Sequence, residues 1–280
     1  MNLLIIKVYI MPRKFANEQF MKSGDVVKFN FDHFDEERII KVRLSWGGYT
    51  YLDLSAIMLN ENGMIFVEDD KVRIDDVVCF RSTIRWKPVS DDNMFEGKIY
   101  SDVSEAVRDG VCKNRIEYML RCYPSSICGG IIGSHDELGQ EGDSADDINE
   151  EAIYIRVDKI DMSQYSSVAI VATISLEDAT RGERFEDFSN LMVEFVEPAA
   201  DGMDNKVIAG PYLLNNNELC DNGLSRGECT GICLGFIKCD EDGEWYFEAT
   251  AKGYELEHIK DDNGKEVAVV PLLTVANSFV

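Results

Sequence analysis

Alternating and continuous apolar runs along the chain predict a series of short β-strands. Residues 39–44 alternate apolar and polar side chains, as a half-buried strand does. Residues 52–59 and 168–176 are mostly apolar, and the second run, which contains β-branched residues, predicts a central strand. The other predicted strands are residues 64–68, 77–80, 83–89, 153–157, 191–196, 229–237 and 245–249.

Turn signals separate several of these strands. Residues 60–63 (NENG) and 240–243 (DEDG) have the composition of tight turns, and residues 229–249 are predicted to form the clearest hairpin. Many strands, closely spaced turn signals and few helices predict a mainly β fold, an antiparallel β-sandwich.

Two further elements are predicted from the pattern. Residues 101–122 are the best helix candidate, with Ser104 as the N-cap and an apolar stripe that includes Val107, Val111 and Met119. Residues 260–280 are predicted to form a tail whose apolar end adds an edge strand.

The composition indicates a folded and strongly acidic protein. Its 280 residues suit one large all-β domain or two ordinary ones, and 45% hydrophobic residues suffice for a substantial core. The net charge of -24 and the pI near 4.4 would repel nucleic-acid phosphates and anionic lipid headgroups. Cations are therefore the expected partners, and any approach to a membrane would be bridged by cations.

Cysteine usage and the start of the chain favour the cytosol. The eight cysteines contain no CxxC pair and the three histidines are scattered, which gives zinc weak support. Nothing marks the chain for export, so a reducing compartment is expected. The apolar start, MNLLIIKVYI, is shorter than the roughly 20 residues of a membrane span and lacks a signal-peptide cleavage site. Either Met11 is the true initiator, or the first ten residues form a strand or an anchor.

Carboxylates are concentrated in residues 134–151, directly before a predicted strand. In a compact loop these side chains repel one another, and calcium, which accepts six to eight oxygen ligands in flexible geometry, would relieve that repulsion. The alternative interpretation is a solvated acidic loop or a linker. The acidic residues of this loop are Asp136, Glu137, Glu141, Asp143, Asp146, Asp147, Glu150 and Glu151.

Catalytic signatures are missing from the sequence. It contains no GxSxG, P-loop or HExxH pattern. A pair of carboxylates could serve as the general acid and base of a hydrolase, but clustering on one loop suits metal binding better. We therefore expect that the protein is not an enzyme, with a carboxylate-dependent hydrolase as the less favoured alternative.

The spacing of the loop differs from that of an EF-hand. An EF-hand needs the DxDxDG pattern between two helices, whereas this loop enters a strand and Gly139 and Gly142 fall in other places. A β-sandwich that gathers carboxylates from several loops at one end fits better. Such a geometry would bring Asp53, near the start of its predicted strand, toward the acidic loop.

Four segments, in this order, carry a family resemblance. They are residues 42–46 (VRLSW), residues 51–59 (YLDLSAIML), residues 185–196 with Asn190, and residues 243–249 (GEWYFEA) followed by Gly253 and Tyr254. This series resembles the TerD family, which is named for bacterial tellurite resistance and includes related stress proteins.

The resemblance covers most of residues 38–257 and implies a TerD-like β-sandwich there. Residues 1–37 would be an N-terminal extension and residues 258–280 a C-terminal tail. Residues 82–132 are far longer than the connection in the family, and are interpreted as an insertion that carries the helix. A separate small domain is disfavoured, because about 50 residues make a marginal core alone.

The acidic loop of the family binds calcium, and the resemblance implies the same for residues 134–151. Tyr51 replaces the first aspartate of the family's DLDAS motif, so one calcium ion is expected where typical members hold two. Either Asp146 and Asp147 or Glu150 and Glu151 match the family's GDDE element, and the spacing to the strand favours the second pair. The implied metal ligands are Asp53, Asp136, Glu137, Asp143, Asp146, Asp147, Glu150 and Glu151.

The resemblance also implies a function. Calcium would order the acidic loop and present a surface to other proteins of a stress-response complex, in the cytoplasm or peripherally at the inner face of the membrane. The protein would act as a metal-dependent binding or scaffold module. The alternative within this class is a divergent scaffold that has lost the metal.

Overall fold

The computed structural model of the protein describes residues 19–31, 38–47, 51–68, 71–73, 76–79, 108, 119–120, 125–133, 148–198, 206–214, 224 and 226–255. The predicted strand at residues 83–89, the chain start and the tail lie outside these residues. The strands, in chain order, are β1 (Gln19–Met21), β2 (Val26–Lys28), β3 (Ile39–Gly47), β4 (Leu52–Asn60), β5 (Val67–Glu68), β6 (Lys71–Val72), β7 (Val77–Val78), β8 (Ile131–Gly133), β9 (Ile148–Arg156), β10 (Tyr165–Ile174), β11 (Ser189–Glu197), β12 (Lys206–Leu214), β13 (Gly231–Cys239) and β14 (Trp245–Tyr254).

Helical structure is sparse in the described residues. The helix α1 (Leu176–Arg181) follows β10 directly, and Ser175 caps its N-terminus by accepting a hydrogen bond from the Asp178 N–H. Short 3-10 helices span Val157–Lys159, Phe185–Asp187 and Arg226–Glu228. No helix in these parts of the chain is long and apolar enough to cross a membrane.

Within the described residues, the strands form two six-stranded sheets and one small hairpin. Sheet A has the order β1-β12-β11-β3-β9-β8, and sheet B has the order β2-β14-β13-β10-β4-β7. Strand β1 runs parallel to β12, whereas the other strand pairs are antiparallel. The prediction of a mainly β, antiparallel sandwich is confirmed.

The core lies between the two sheets. Because neighbouring side chains on a strand point to opposite faces, one set from each strand enters the core. In sheet A this set includes Ile40, Val42 and Leu44, and all three are buried. An aromatic row also crosses the core, with ring centroids 5.2 Å apart between Phe29 and Phe195 and 4.7 Å apart between Phe195 and Phe247. Burying these side chains is the main stabilising contribution of the sandwich.

The outer face of sheet B is buried as well. Ile57, Leu59, Ala169, Val171 and Cys233 belong to a second apolar cluster, separate from the core between the sheets. Both faces of β4 and β10 are therefore apolar, which explains why residues 52–59 and 168–176 form nearly continuous apolar runs instead of alternating. Burial raises the pKa of the Cys233 thiol to about 12, so this cysteine stays protonated.

The sandwich extends into segments that the sequence places outside it. Strands β1 and β2 lie in the predicted N-terminal extension, yet they form one edge of sheet A and one edge of sheet B. Strand β8 lies at the end of the predicted insertion and pairs with β9. Each of these strands has three residues, too few for their apolar pattern to be recognised.

The predicted insertion contacts sheet A where the structure describes it. Arg108, Met119 and Leu120 have helical backbone conformation, and the rest of the helix candidate lies outside the described residues. Met119 is buried in a cluster with Ile132 and Tyr154. Since the residues beside Tyr154 on β9 enter the core, this cluster lies on the outer face of sheet A.

Both predicted tight turns are present and have the same hydrogen-bond pattern. In each, the first side chain accepts two backbone hydrogen bonds: Asn60 from the N–H groups of residues 62 and 64, and Asp240 from those of residues 242 and 244. Residues 240–243 join β13 to β14 as predicted. The predicted strand at residues 64–68 does not continue this turn as a hairpin, however. Met64 accepts a hydrogen bond from the Asn60 N–H at the end of β4, and the chain then forms β5, which pairs with β6.

Candidate functional site

Three of the eight predicted metal ligands lie in the described residues. Asp53 is the second residue of β4. Glu150 and Glu151, the last two residues of the predicted acidic loop, lie near the start of β9, so residues 148–151 belong to a strand and not to the loop. The other five predicted ligands lie outside the described residues: Asp136, Glu137, Asp143, Asp146 and Asp147.

Glu151 links the acidic loop to the opposite sheet. Its side chain lies on the same face of β9 as Ile153 and Ile155, which belong to the core, so it points between the sheets. Only 9% of Glu151 is exposed, and its Oε2 accepts a hydrogen bond from the Leu54 N–H. Strand β7 pairs with β4 at residues 56 and 57, so the Leu54 N–H lies beyond the end of β7. The Glu151 carboxylate accepts the hydrogen bond from this backbone donor in place of a neighbouring strand.

Asp53 is adjacent to the residue that Glu151 contacts. Its neighbours Leu52 and Leu54 enter the core, so the Asp53 side chain lies on the outer face of sheet B. There it is directly opposite Thr173 of β10. The structure thus places the β4 backbone next to Asp53 in contact with Glu151, and it turns the Asp53 carboxylate to the outer face of sheet B.

Glu150 lies in a different environment from Glu151. Adjacent strand residues face opposite sides, and Glu150 lies on the outer face of sheet A. Its oxygens are 3.1 Å from the Lys41 ammonium and 3.5 Å from the Arg43 guanidinium, and Arg43 also pairs with Glu194. Two cations already balance the charge of Glu150, and the structure does not bring it toward Asp53.

Asp178 is a buried carboxylate at this end of the sandwich that the sequence did not reveal. Its Oδ2 accepts hydrogen bonds from the Tyr51 N–H at 3.0 Å and from the Ser175 hydroxyl at 2.9 Å, and its Oδ1 is 3.4 Å from Arg181. Asp178 therefore fixes α1 to the start of β4, beside Asp53. The signal that could have identified it is the Ser-x-x-Asp spacing of a helix capping box at residues 175–178.

Ser55 and Thr173 are the hydroxyl residues next to Asp53 on the outer face of sheet B. Ser55 is 1% exposed, and its Oγ has no hydrogen-bond partner in the described structure. Thr173 is 7% exposed and lies opposite Asp53. Both residues stand inside apolar runs, so the sequence alone does not single them out.

The donor set at this end suits a hard cation. Carboxylate and hydroxyl oxygens are the ligands that calcium accepts, and no thiol or imidazole lies in the row formed by Asp53 and Thr173. The described residues contain no group of three or more aspartate, glutamate, histidine or cysteine side chains that could hold a metal. A calcium ion here therefore needs oxygen ligands from the acidic loop in addition to Asp53.

Comparisons with known proteins give distant structural similarity. No protein-family model matches the chain, and no curated protein matches it. One similar structure is the crystal structure of a protein of unknown function, with 16% identity and a TM-score of 0.40 over 79% of this chain and 92% of that chain. Another is that of a homologue of the telluride resistance protein (TerD) from Streptomyces coelicolor, with 16% identity and a TM-score of 0.39 over 78% of this chain and 91% of that chain. Similarity at this level carries no function from either protein to this one.

Proposed function

We propose that the protein is a calcium-binding, TerD-like module of the tellurite-resistance type, which acts by binding other proteins. The sequence motifs support the family, and one contact supports the site. The hydrogen bond from the Leu54 N–H to Glu151 holds the end of the acidic loop beside Asp53. Two segments that are 97 residues apart thus meet at one end of the sandwich.

The proposed ligands are Asp53 and the carboxylates of the acidic loop. Glu151 positions the loop end through the Leu54 N–H, and Glu150 stays with Lys41 and Arg43. When bound, calcium would neutralise the mutual repulsion of the loop carboxylates and give the loop one conformation. The loop carboxylates proposed as ligands are Asp136, Glu137, Asp143, Asp146 and Asp147.

The proposed role is binding without catalysis. The net charge of -24 opposes direct contact with nucleic acid or an anionic membrane, and calcium would reduce that charge at one end of the sandwich. We propose that the ordered end recruits proteins of a stress-response complex in the cytoplasm. Any membrane association would be peripheral, at the inner face.

A metal-free scaffold is the second candidate. Two observations favour it: Glu150 is already neutralised by Lys41 and Arg43, and Tyr51, which is 42% exposed, occupies the position of a family aspartate. In this case the acidic loop would stay solvated and the sandwich alone would present the binding surface.

Calcium titration of the full chain separates the two candidates. We expect isothermal titration calorimetry to show saturable binding with a dissociation constant between about 1 μM and 1 mM, the range of flexible oxygen-ligand sites. Magnesium, which demands near-ideal octahedral geometry, should bind more weakly.

The matched variants for this titration are Asp53→Asn and Asp242→Asn. Both remove one negative charge, but Asp242 is an exposed residue of the turn at the opposite end of the sandwich. Asp53→Asn should weaken calcium binding at least tenfold, whereas Asp242→Asn should leave it unchanged. No heat of binding at millimolar calcium would contradict the calcium site and support the metal-free scaffold.

A further inference from the structure

Cys128 and Met58 bring two sulfur atoms together from the two layers of the sandwich. The Cys128 Sγ lies 4.0 Å from the Met58 Sδ. Met58 is in β4 of sheet B and is fully buried in the core between the sheets. Cys128 is a free, exposed cysteine in the turn that leads into β8 of sheet A. The contact therefore joins an exposed cysteine to a thioether at the margin of the core.

The turn before β8 holds the Cys128 side chain in place. The Ile131 N–H donates a hydrogen bond to the Ser126 Oγ at 3.0 Å, across the turn that contains Cys128. A Cβ atom added at Gly130 would lie 2.7 Å from the Ile160 side chain, so the turn packs closely against the rest of the protein. The Cys128 sulfur is thus positioned before any ligand binds, which lowers the ordering cost of binding.

Two groups are placed to stabilise the negative charge that a metal-bound cysteine carries. The Gly130 N–H donates to the Cys128 Sγ at 3.3 Å, and the Ser126 Oγ lies 3.5 Å from the same sulfur, so its hydroxyl can donate to it. Metals bind cysteine as the thiolate, and hydrogen bonds to a ligand atom fix its orientation. The surroundings of Cys128 therefore suit a metal ligand.

The two sulfur atoms suit a soft monovalent cation. Thiolate and thioether ligands select Cu(I), whereas calcium and magnesium prefer oxygen. With metal–sulfur bonds of about 2.3 Å, a sulfur separation of 4.0 Å corresponds to an S–metal–S angle of about 120°, which leaves a third position for an external ligand. One Cu(I) and one thiolate are together neutral, so their binding adds no net charge beside the apolar core.

We propose that Cys128 and Met58 form a binding site for Cu(I), with Cys128 as the thiolate ligand and Met58 as the thioether ligand. This site is separate from the proposed calcium site, because its ligands are sulfur atoms and Met58 lies at the opposite end of β4 from Asp53. The inference goes beyond the proposed function, and neither depends on the other.

The test measures how Cu(I) protects Cys128 from alkylation by iodoacetamide in the reduced full chain. Mass spectrometry of the peptide that contains Cys128 reports this residue separately from the other cysteines. Cu(I) buffered with bicinchoninate should block the labelling of Cys128, and millimolar calcium should not. Met58→Leu, which nearly conserves side-chain volume, should need about tenfold more free Cu(I) for the same protection.

Met21→Leu is the matched control. Met21 is also a buried core methionine, but it lies in β1, at the opposite edge of sheet A from β8. This variant should need the same free Cu(I) as the wild type. If Cu(I) does not protect Cys128 in the wild type, the inference is wrong. If Met58→Leu and Met21→Leu are protected equally, Cys128 binds copper without the thioether and the proposed pair is refuted.

A second measurement avoids any change in the core. In the full chain labelled with methyl-13C methionine, one equivalent of Cu(I) should shift one methionine methyl resonance. Cys128→Ser, at an exposed position in the turn, should abolish this shift. A spectrum that Cu(I) leaves unchanged, or a shift that persists in Cys128→Ser, would contradict the proposed site.

Discussion

Gly235→Ala is expected to destabilise the folded protein by at least about 3 kcal/mol, because the new methyl group has no room. A Cβ atom at this position in β13 would lie 2.3 Å from the Glu248 carbonyl oxygen, 2.4 Å from the Phe247 ring and 2.9 Å from the Ala249 Cα. Two of these three contacts are with the backbone of the neighbouring strand β14. Relief would require a shift of β14 or of a phenylalanine in the centre of the core. Chemical denaturation followed by circular dichroism measures the loss.

Gly243→Ala is the control for this prediction. Gly243 lies in the turn between the same two strands, and a Cβ there meets nothing within 4 Å. Its positive φ of 83° still disfavours alanine, and the expected cost is about 1 kcal/mol. Equal losses of stability for Gly235→Ala and Gly243→Ala would show that β14 shifts readily to make room for the methyl group, which would contradict the prediction.

Arg73→Met is expected to cost about 3–5 kcal/mol, because it removes a paired cation and hydrogen-bond donor from a buried carboxylate. Asp76 is fully buried, and its Oδ2 is 2.5 Å from the Arg73 Nε. The Tyr165 hydroxyl accepts a hydrogen bond from Arg73 at 2.9 Å and donates one to Asp76 at 2.8 Å, while the guanidinium lies 4.2 Å from the Phe66 ring centroid. Burial, and then the hydrogen bond to Asp76, raise the pKa of Tyr165, so it remains a donor at physiological pH. Thermal and chemical unfolding at neutral pH measure the cost.

Two further variants test whether the stability cost of Arg73→Met comes from the buried Asp76 or from the loss of any arginine side chain. Arg38→Met removes a cation from a half-exposed pair with Asp158, and should cost about 1 kcal/mol or less. Combining Arg73→Met with Asp76→Leu and Tyr165→Phe removes every charge and hydroxyl of the triad. This triple variant should recover most of the lost stability, because apolar residues of similar volume replace buried ion pairs well. If it does not, the hydrogen bonds among Arg73, Asp76 and Tyr165 stabilise the fold more than apolar packing at the same positions would.

The strands that have a clear pattern of apolar residues can be predicted from the sequence. Strand β3 alternates, and β4 and β10 are apolar on both faces, so their positions were predicted to within a few residues. Strand β12 was overlooked because Gly210 and Pro211 interrupt its apolar pattern. The missing edge strands β1, β2 and β8 depend on tertiary pairing, which a single sequence does not show.

At the candidate site, the sequence singled out Asp53, Glu150 and Glu151 but could not show the direction of each side chain. Adjacent strand residues face opposite sides of a sheet. Glu150 therefore forms ion pairs with Lys41 and Arg43 on the outer face of sheet A, whereas Glu151 points between the sheets. The buried hydroxyl of Ser55 could not be predicted, because a serine in an apolar run becomes notable only when its burial is known.

The pairing of β1 with β12 and of β2 with β14 has a consequence for biosynthesis. The partners Lys28 and Tyr246 are separated by more than 200 residues, so β2 leaves the ribosome long before the strand that completes its edge of sheet B. At roughly 5–20 residues per second, this delay is about 10–40 s. The nascent N-terminal strands must avoid other partners for that time, because this edge of sheet B forms only after β14 has been synthesised.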